Sequence, residues 1–270
     1  MDSPTVQQLF DLTGKVGLIT GGARNLGYDM ATALAEAGAE VAVTSRTLAQ
    51  AQEAASKIAA RSGHRAMGFA CDVRFEGEVS ALVDTVLAEF GRIDILINNA
   101  GNVVSTPDNN PIWQRPVEEW EFTVDVNMKG VFLVTKHVVA KAMKPARSGV
   151  IINIGSTAGM IGTDRRRYTG TDMGGVTIDY SAAKGGVIAM TQEMACVLAP
   201  YNIRVNCISP GGFWRGHSKR FTQQYNYFVP MGRMGQDGKD LKGAAVFLAS
   251  EASSYVTGIN LPVDGGLTAW

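Results

Sequence analysis

The stretch Val16-Gly17-Leu18-Ile19-Thr20-Gly21-Gly22-Ala23-Arg24-Asn25-Leu26-Gly27 reads as an apolar, strand-like run, then a glycine-rich turn, then the start of a helical pattern. A strand ending in such a turn lets the backbone close on a pyrophosphate. The helix that follows offers free N–H groups and the positive end of its dipole. Glycine also simply makes turns, so it is the strand–turn–helix order that carries the reading.

Outward from this stretch, short apolar runs alternate with longer helical patterns. The spacing predicts strands over 16–20, 40–44, 66–70, 93–98, 149–154, 203–208 and 259–263, and helices over 26–37, 48–61, 76–90, 117–142, 178–198 and 240–249. Ile93-Asp94-Ile95-Leu96-Ile97 and Val150-Ile151-Ile152 are apolar on nearly every residue, as strands of a parallel sheet covered on both faces must be. The expected fold is α/β: a doubly wound parallel sheet of about seven strands with helices on both faces. Thr47 and Thr177 stand where helix N-caps belong, and Pro200 is a stop signal after the helix over 178–198.

Composition narrows the function classes. The 270 residues are 46% hydrophobic and 19% charged, with zero formal net charge. That balance suits a large packed core and gives no reason to expect nucleic acid or an anionic membrane as a partner. Residues 1–15 are polar and acidic without an apolar centre, unlike a signal peptide, and no apolar run is long enough for a membrane helix. Cys71, Cys196 and Cys207 form no C-x-x-C pair and are read as reduced core residues of a cytoplasmic protein. His64, His137 and His217 show no metal-ligand spacing, so no metal is expected.

Tyr180-Ser181-Ala182-Ala183-Lys184 puts a tyrosine and a lysine four residues apart, on one face of a helix. An ordinary tyrosine, with a pKa of about 10, is a poor base. A lysine cation one turn away stabilises the phenolate and lowers that pKa. Such a pair suits a reaction that gives or takes a proton at oxygen near neutral pH, as hydride transfer to or from a nicotinamide does. The bland alternative is an amphipathic helix with a buried tyrosine and a snorkelling lysine.

The segments around the pair resemble those of the short-chain dehydrogenase/reductase family. Residues 20–27 are similar to its T-G-x-x-x-G-x-G loop, with Asn25 in place of the middle glycine. Asparagine is among the few residues that tolerate left-handed backbone angles, so the loop is expected to survive. Asn98-Asn99-Ala100-Gly101 is similar to the family's N-N-A-G, and Asn153-Ile154-Gly155-Ser156-Thr157-Ala158-Gly159 to its N-I-x-S-x-x-G. The likeness runs from about Gly14 to Gly266. It implies one dinucleotide-binding and catalytic domain over 1–270, and a homotetramer with the Tyr–Lys helix at a subunit interface. It further implies that Ser156 bonds the reacting oxygen, Tyr180 is the general acid or base, Lys184 assists it, and Asn127 holds a water beside the lysine.

The same likeness implies a cofactor set. Gly21, Arg24, Asn25, Leu26 and Gly27 would meet the phosphates, and Asp72 and Val73 the adenine. Asn99, Ala100 and Gly101, then Tyr180 and Lys184, then Pro210, Gly211 and Phe213 would line the path to the nicotinamide. The usual threonine after Pro210-Gly211 is replaced by Gly212-Phe213-Trp214-Arg215. An NAD-binding fold usually closes its second strand with an acidic residue that bonds the ribose. Here Ser45 and Arg46 stand there, with Arg24 nearby. A guanidinium suits a 2′-phosphate, which favours NADP(H), with NAD(H) possible as well.

Between Ser156 and Tyr180 the chain is about twice as long as is usual in that family, which places a substrate-loop insertion near residues 160–176. It includes Arg165, Arg166 and Arg167, read either as a solvated loop or as the grip on an anionic substrate group. Tyr168, also in the insertion, lacks a lysine four residues on, so Tyr180 is the expected catalytic tyrosine. Asn102, Trp113, Trp214 and His217 complete the candidate substrate wall. Phe10-Asp11-Leu12-Thr13-Gly14-Lys15 and the overall pattern are similar to family members of the gluconate 5-dehydrogenase kind, acting on sugars, sugar acids or polyols. A 3-oxoacyl-carrier-protein reductase is the alternative within the class. It needs a basic patch for its carrier, which a neutral chain supports little. A non-catalytic NADP-sensing regulator is the alternative from another class, and it would be expected to have a broken Tyr–Lys pair.

Overall fold

Strands apolar on successive residues need cover on both faces, and the molecule supplies it. The computed structural model describes residues 3–102 and 111–270. Its strands are β1 (Val16–Ile19), β2 (Glu40–Ser45), β3 (Ala66–Ala70), β4 (Ile95–Asn98), β5 (Gly149–Ile154), β6 (Ile203–Pro210), β7 (Phe213–Trp214), β8 (Gly235–Gln236) and β9 (Asn260–Val263). Seven of them form one parallel sheet in the order β3-β2-β1-β4-β5-β6-β9, while β7 and β8 pair separately. The helices are α1 (Val6–Phe10), α2 (Asn25–Glu36), α3 (Leu48–Ser62), α4 (Glu76–Phe90), α5 (Val117–Val124), α6 (Gly130–Val138), α7 (Lys144–Ala146), α8 (Ile178–Leu198), α9 (Lys219–Tyr227) and α10 (Lys242–Ala249).

Side chains alternate across each strand, and the core divides accordingly. Ile95, Ile97 and Ile152 pack with Met30 and Leu34 of α2, Ile58 of α3 and Leu248 of α10. Leu96 and Ile151 point the other way, into Val79, Leu82 and Val86 of α4 and Val134 and Val138 of α6. This is the doubly wound α/β arrangement expected from the run of apolar strands. No helix among the described residues is long and apolar enough to cross a membrane.

The structure departs from the sequence reading in several places. The helix expected over 117–142 is broken by two π turns, Asp125–Lys129 and Val139–Met143. In the first, the Asn127 side chain donates to the Thr123 carbonyl at 3.0 Å, occupying an acceptor of the helical ladder. Thr47 and Thr177 do occupy N-cap positions with extended backbone, but neither hydroxyl makes a capping bond. Cys196 is exposed rather than core, because it lies one position past Ala195 on the buried stripe of α8. Helix α9 was not foreseen, since KRFTQQYNY buries just Phe221 and Tyr225. The loop expected to help wall the pocket from Asn102 to Pro116 lies partly outside the described residues, at 103–110.

Candidate active site

The strand order reverses between β1 and β4, and open α/β sheets bind ligands at such a switch point, beyond the carboxyl ends of the strands. A cavity of about 600 Å³ opens there, lined by residues 23–27 after β1, by Asn99–Asn102 after β4, and by Ser156, Tyr180 and Lys184. The glycine-rich loop is clamped onto the next turn. Asn99 Nδ2 donates to the carbonyls of Thr20 and Gly21, each at 3.0 Å, and the Thr20 hydroxyl accepts from the Asn99 and Ala100 N–H groups, each at 3.0 Å. A Cβ at Gly21 would stand 3.0 Å from Ala100 Cα, and one at Gly27 would collide with Asn99 Nδ2. Asn25 adopts φ +51°, the left-handed geometry that its middle-glycine position requires.

These features fit a nicotinamide dinucleotide. Helix α2 starts at this loop with no side-chain cap, so its first N–H groups are left for a ligand's phosphates. Arg24 and Arg46 line the cavity, and among the described residues neither has a carboxylate within 4.0 Å. Ser45 and Leu26 line it too, as do Val73, Pro210, Gly211 and Phe213. Asp72 lines the cavity as well. Its carboxylate is gripped by Arg74 through Nε and Nη2, the latter at 2.7 Å, which holds it below the usual carboxylate range. Arg74 itself stacks over Phe122, 4.8 Å from the ring centroid.

The chemical end of the cavity is built on α8. Lys184 is 4% exposed, and its Nζ donates to the Ile154 carbonyl at 2.7 Å, at the end of β5. The same nitrogen lies 5.8 Å from the centroid of the Tyr180 ring, and Ser156 is within hydrogen-bonding reach of the Tyr180 phenol. Asn127 is fully buried, and its Nδ2 donates to the Asn102 carbonyl at 2.8 Å. Burial lowers the Lys184 ammonium to about 8. The sequence led us to expect a lowered Tyr180 phenol, and the structure reverses that direction. Burial raises it, outweighing the Ser156 hydrogen bond, while Lys184 turns to the Ile154 carbonyl.

Position in the chain did not reveal how the substrate wall divides. Arg167, Tyr168 and His217 line the cavity. Arg165 and Arg166 are exposed and lie outside its wall, as do Trp113 and Trp214, at 80% and 55% exposure. Tyr168 stacks on Phe221 at 5.7 Å, and the Tyr225 hydroxyl accepts from the Gly212 N–H at 2.6 Å. Behind the site runs a buried polar chain that the sequence reading missed. Asn98 Nδ2 donates to Thr135 Oγ1 and to Asn153 Oδ1, and Asn153 Nδ2 to Thr191 Oγ1, each at 2.9 Å. The available signal was two asparagines in strands otherwise apolar. The second missed element is the buried pair of Arg115 and Asp179, at 2.7 Å, just before Tyr180.

A sheet with this crossover, a glycine loop at its switch point and a Tyr–Lys pair beside a serine define a nicotinamide-type oxidoreductase, and the chain belongs to the short-chain dehydrogenase/reductase family, acting on CH–OH groups. The family model described as enoyl-(acyl carrier protein) reductase matches residues 21–268. A 2-dehydro-3-deoxy-D-gluconate 5-dehydrogenase of Formosa agariphila is 38% identical over 268 residues, covering 97% of this chain and 95% of its own. A 3-oxoacyl-[acyl-carrier-protein] reductase of Chlamydia muridarum is 35% identical over 260 residues, covering 95% and 98%. The gluconate 5-dehydrogenase of Burkholderia cenocepacia, solved with NADP and tartrate, superposes with a TM-score of 0.88 at 33% identity, covering 98% of this chain and all of that one.

Proposed function

We propose that the protein interconverts an alcohol and a carbonyl on a small sugar acid or polyol, with NADP(H) as preferred cofactor, and that it works as a cytoplasmic homotetramer. The observation that carries the reading is one cavity with two arginines, Arg24 and Arg46, that have no carboxylate partner among the described residues at one end, and the Ser156–Tyr180–Lys184 cluster at the other. A bound nicotinamide would supply or accept the hydride. The Tyr180 hydroxyl holds its proton at neutral pH, since burial raises its pKa, so it is poised to donate to a carbonyl oxygen. Ser156 orients that oxygen by hydrogen bonding, and the Lys184 ammonium favours the phenolate left behind. Asn127 is the proposed holder of a water beside Lys184. In the oxidative direction Tyr180 must first be deprotonated, so oxidation gains from alkaline pH, and reduction fades as pH passes the phenol's pKa.

The sugar-acid relatives support the substrate class, and the neutral charge of the chain weighs against a carrier-protein substrate. The test is turnover on sugar acids, polyols and acyl ketones with NADP(H) and NAD(H), followed by absorbance of the reduced cofactor. Sugar acids or polyols should turn over best. Tyr180→Phe should lower kcat by roughly a hundredfold or more, while Tyr168→Phe retains activity. Arg46→Ala should shift preference from NADP(H) toward NAD(H) by about tenfold. Exclusive use of acyl ketones would favour the carrier-protein reductase, and tight cofactor binding without any turnover would favour the regulator.

A further inference from the structure

The three consecutive arginines of the insertion have different fates. Arg165 is exposed, and its Nη2 donates to the Val176 carbonyl at 3.2 Å. Arg166 is exposed and bound to Asp164 through Nε at 2.9 Å and Nη2 at 2.7 Å. Arg167 is 7% exposed and lines the cavity. Its Nε is buried without a hydrogen-bond partner, and among the described residues no carboxylate lies within 4.0 Å of it. Its guanidinium lies 5.5 Å from the centroid of the Phe228 ring.

A buried cation without a partner is expensive to hold, and a single aromatic face offsets little of that expense. Such a group is retained where a ligand brings the missing charge. Among the described residues that line this end of the cavity, the other arginine, Arg215, is committed to Asp237 at 2.7 Å, while Arg165, Arg166 and Arg220 are exposed and lie outside the wall. Burial lowers His217, so it adds no charge at neutral pH. One guanidinium then faces the ligand, which balances one negative charge and presents a planar, two-pronged donor.

We infer that Arg167 is the receptor for a carboxylate of the substrate, an assignment that deepens and rests on the proposed alcohol–carbonyl reading of the same cavity. The insertion delivers this charge to the cavity. Tyr168 and Phe221 stack on each other in the same wall and Phe228 backs the guanidinium, so the carboxylate would meet it against an aromatic surface.

The test is calorimetric binding to the NADP-saturated protein, using D-gluconate, its uncharged counterpart D-glucitol, and D-glucitol 6-phosphate. Gluconate should bind roughly thirtyfold more tightly than glucitol. Arg167→Gln should bring that ratio close to one. Arg167→Lys, which keeps the charge and the stem and guards against a folding failure, should retain an intermediate ratio. Arg166→Gln should keep the wild-type ratio. Equal binding of gluconate and glucitol by the wild type, an unchanged ratio in both Arg167 variants, or tighter binding of the phosphate would overturn the assignment. Arg167-dependent gluconate binding without turnover would uphold it and sink the proposed reaction. Turnover of polyols without any acid preference would do the reverse.

Discussion

Lys184 shows how a single side chain can be kept against its own solvation. Burial brings its ammonium down to about 8, from an ordinary value of 10.5. Below pH 8 both folded and unfolded chains carry the proton, and the fold bears the full penalty. Between about 8 and 10.5 the unfolded chain binds more protons, so wild-type stability rises with pH across that window. Lys184→Met should therefore abolish turnover yet stabilise the fold at pH 7 by up to about 3 kcal/mol, with the gain shrinking toward pH 10. Urea unfolding at both pH values measures this, and a Met variant less stable than wild type at pH 7 would refute it. The Tyr180–Lys184 pair was legible because four-residue spacing on a helix is a local property. Its ammonium's real partner, the Ile154 carbonyl, was not, because that contact depends on how α8 sits against the end of β5. Asn25 was legible for the opposite reason: its left-handed φ follows from the backbone demand of the turn, whatever packs around it.

At the scale of elements, α8 is positioned by polar groups buried where apolar ones would be cheaper to desolvate. Arg115 and Asp179 are 3% and 0% exposed at their side chains, and Arg115 also pairs with Glu119. Arg115→Met leaves the Asp179 carboxylate buried without its ion-pair partner and should cost about 3–5 kcal/mol, whereas the double change with Asp179→Leu should recover most of it. Thermal unfolding of the single and double variants tests this, and equal losses in both would refute it. Thr191→Val removes the acceptor for Asn153 and should cost about 1–3 kcal/mol, read in the same experiment. Gly159 adds a steric constraint, since a Cβ there would lie 2.6 Å from the Lys184 backbone carbon. The Arg115–Asp179 pair was not readable in advance. Arg115 and Asp179 lie far apart in sequence, and local patterns carry no information about which loop reaches which helix.

For the whole molecule, the apolar interior has separate parts. The two faces of the sheet hold the large clusters. A third, smaller one gathers Phe221, Tyr225, Val229, Met234 and Leu267, with Tyr168, Met173 and Phe228 packed against it. Small clusters open more readily than sheet cores. Amide exchange should therefore be faster in residues 160–176 and in α9 than in β4 and β5, and should slow in the former when gluconate is added. Uniform protection across both regions would contradict this. Trp120 on α5 and Phe132 on α6 are exposed large apolar side chains, and sedimentation should give four times the chain mass for the proposed homotetramer. The sheet and its order were legible because apolar runs and βα alternation are global signals. The third cluster was not, because α9 and the insertion are polar on their surfaces and carry few apolar residues each.

That third cluster leaves the molecule with an exchangeable front. Its side chains interlock with one another more than with the strands that carry the chemistry, so the segments around 160–176 and 219–229 behave as a cassette mounted on a fixed engine. A breeder of enzymes would randomise those two segments together, never one alone, and would leave the glycine loop and the Tyr180 helix untouched. New substrate ranges should then arise with little loss of expression, because the clusters on the two faces of the sheet contain no residue of either segment.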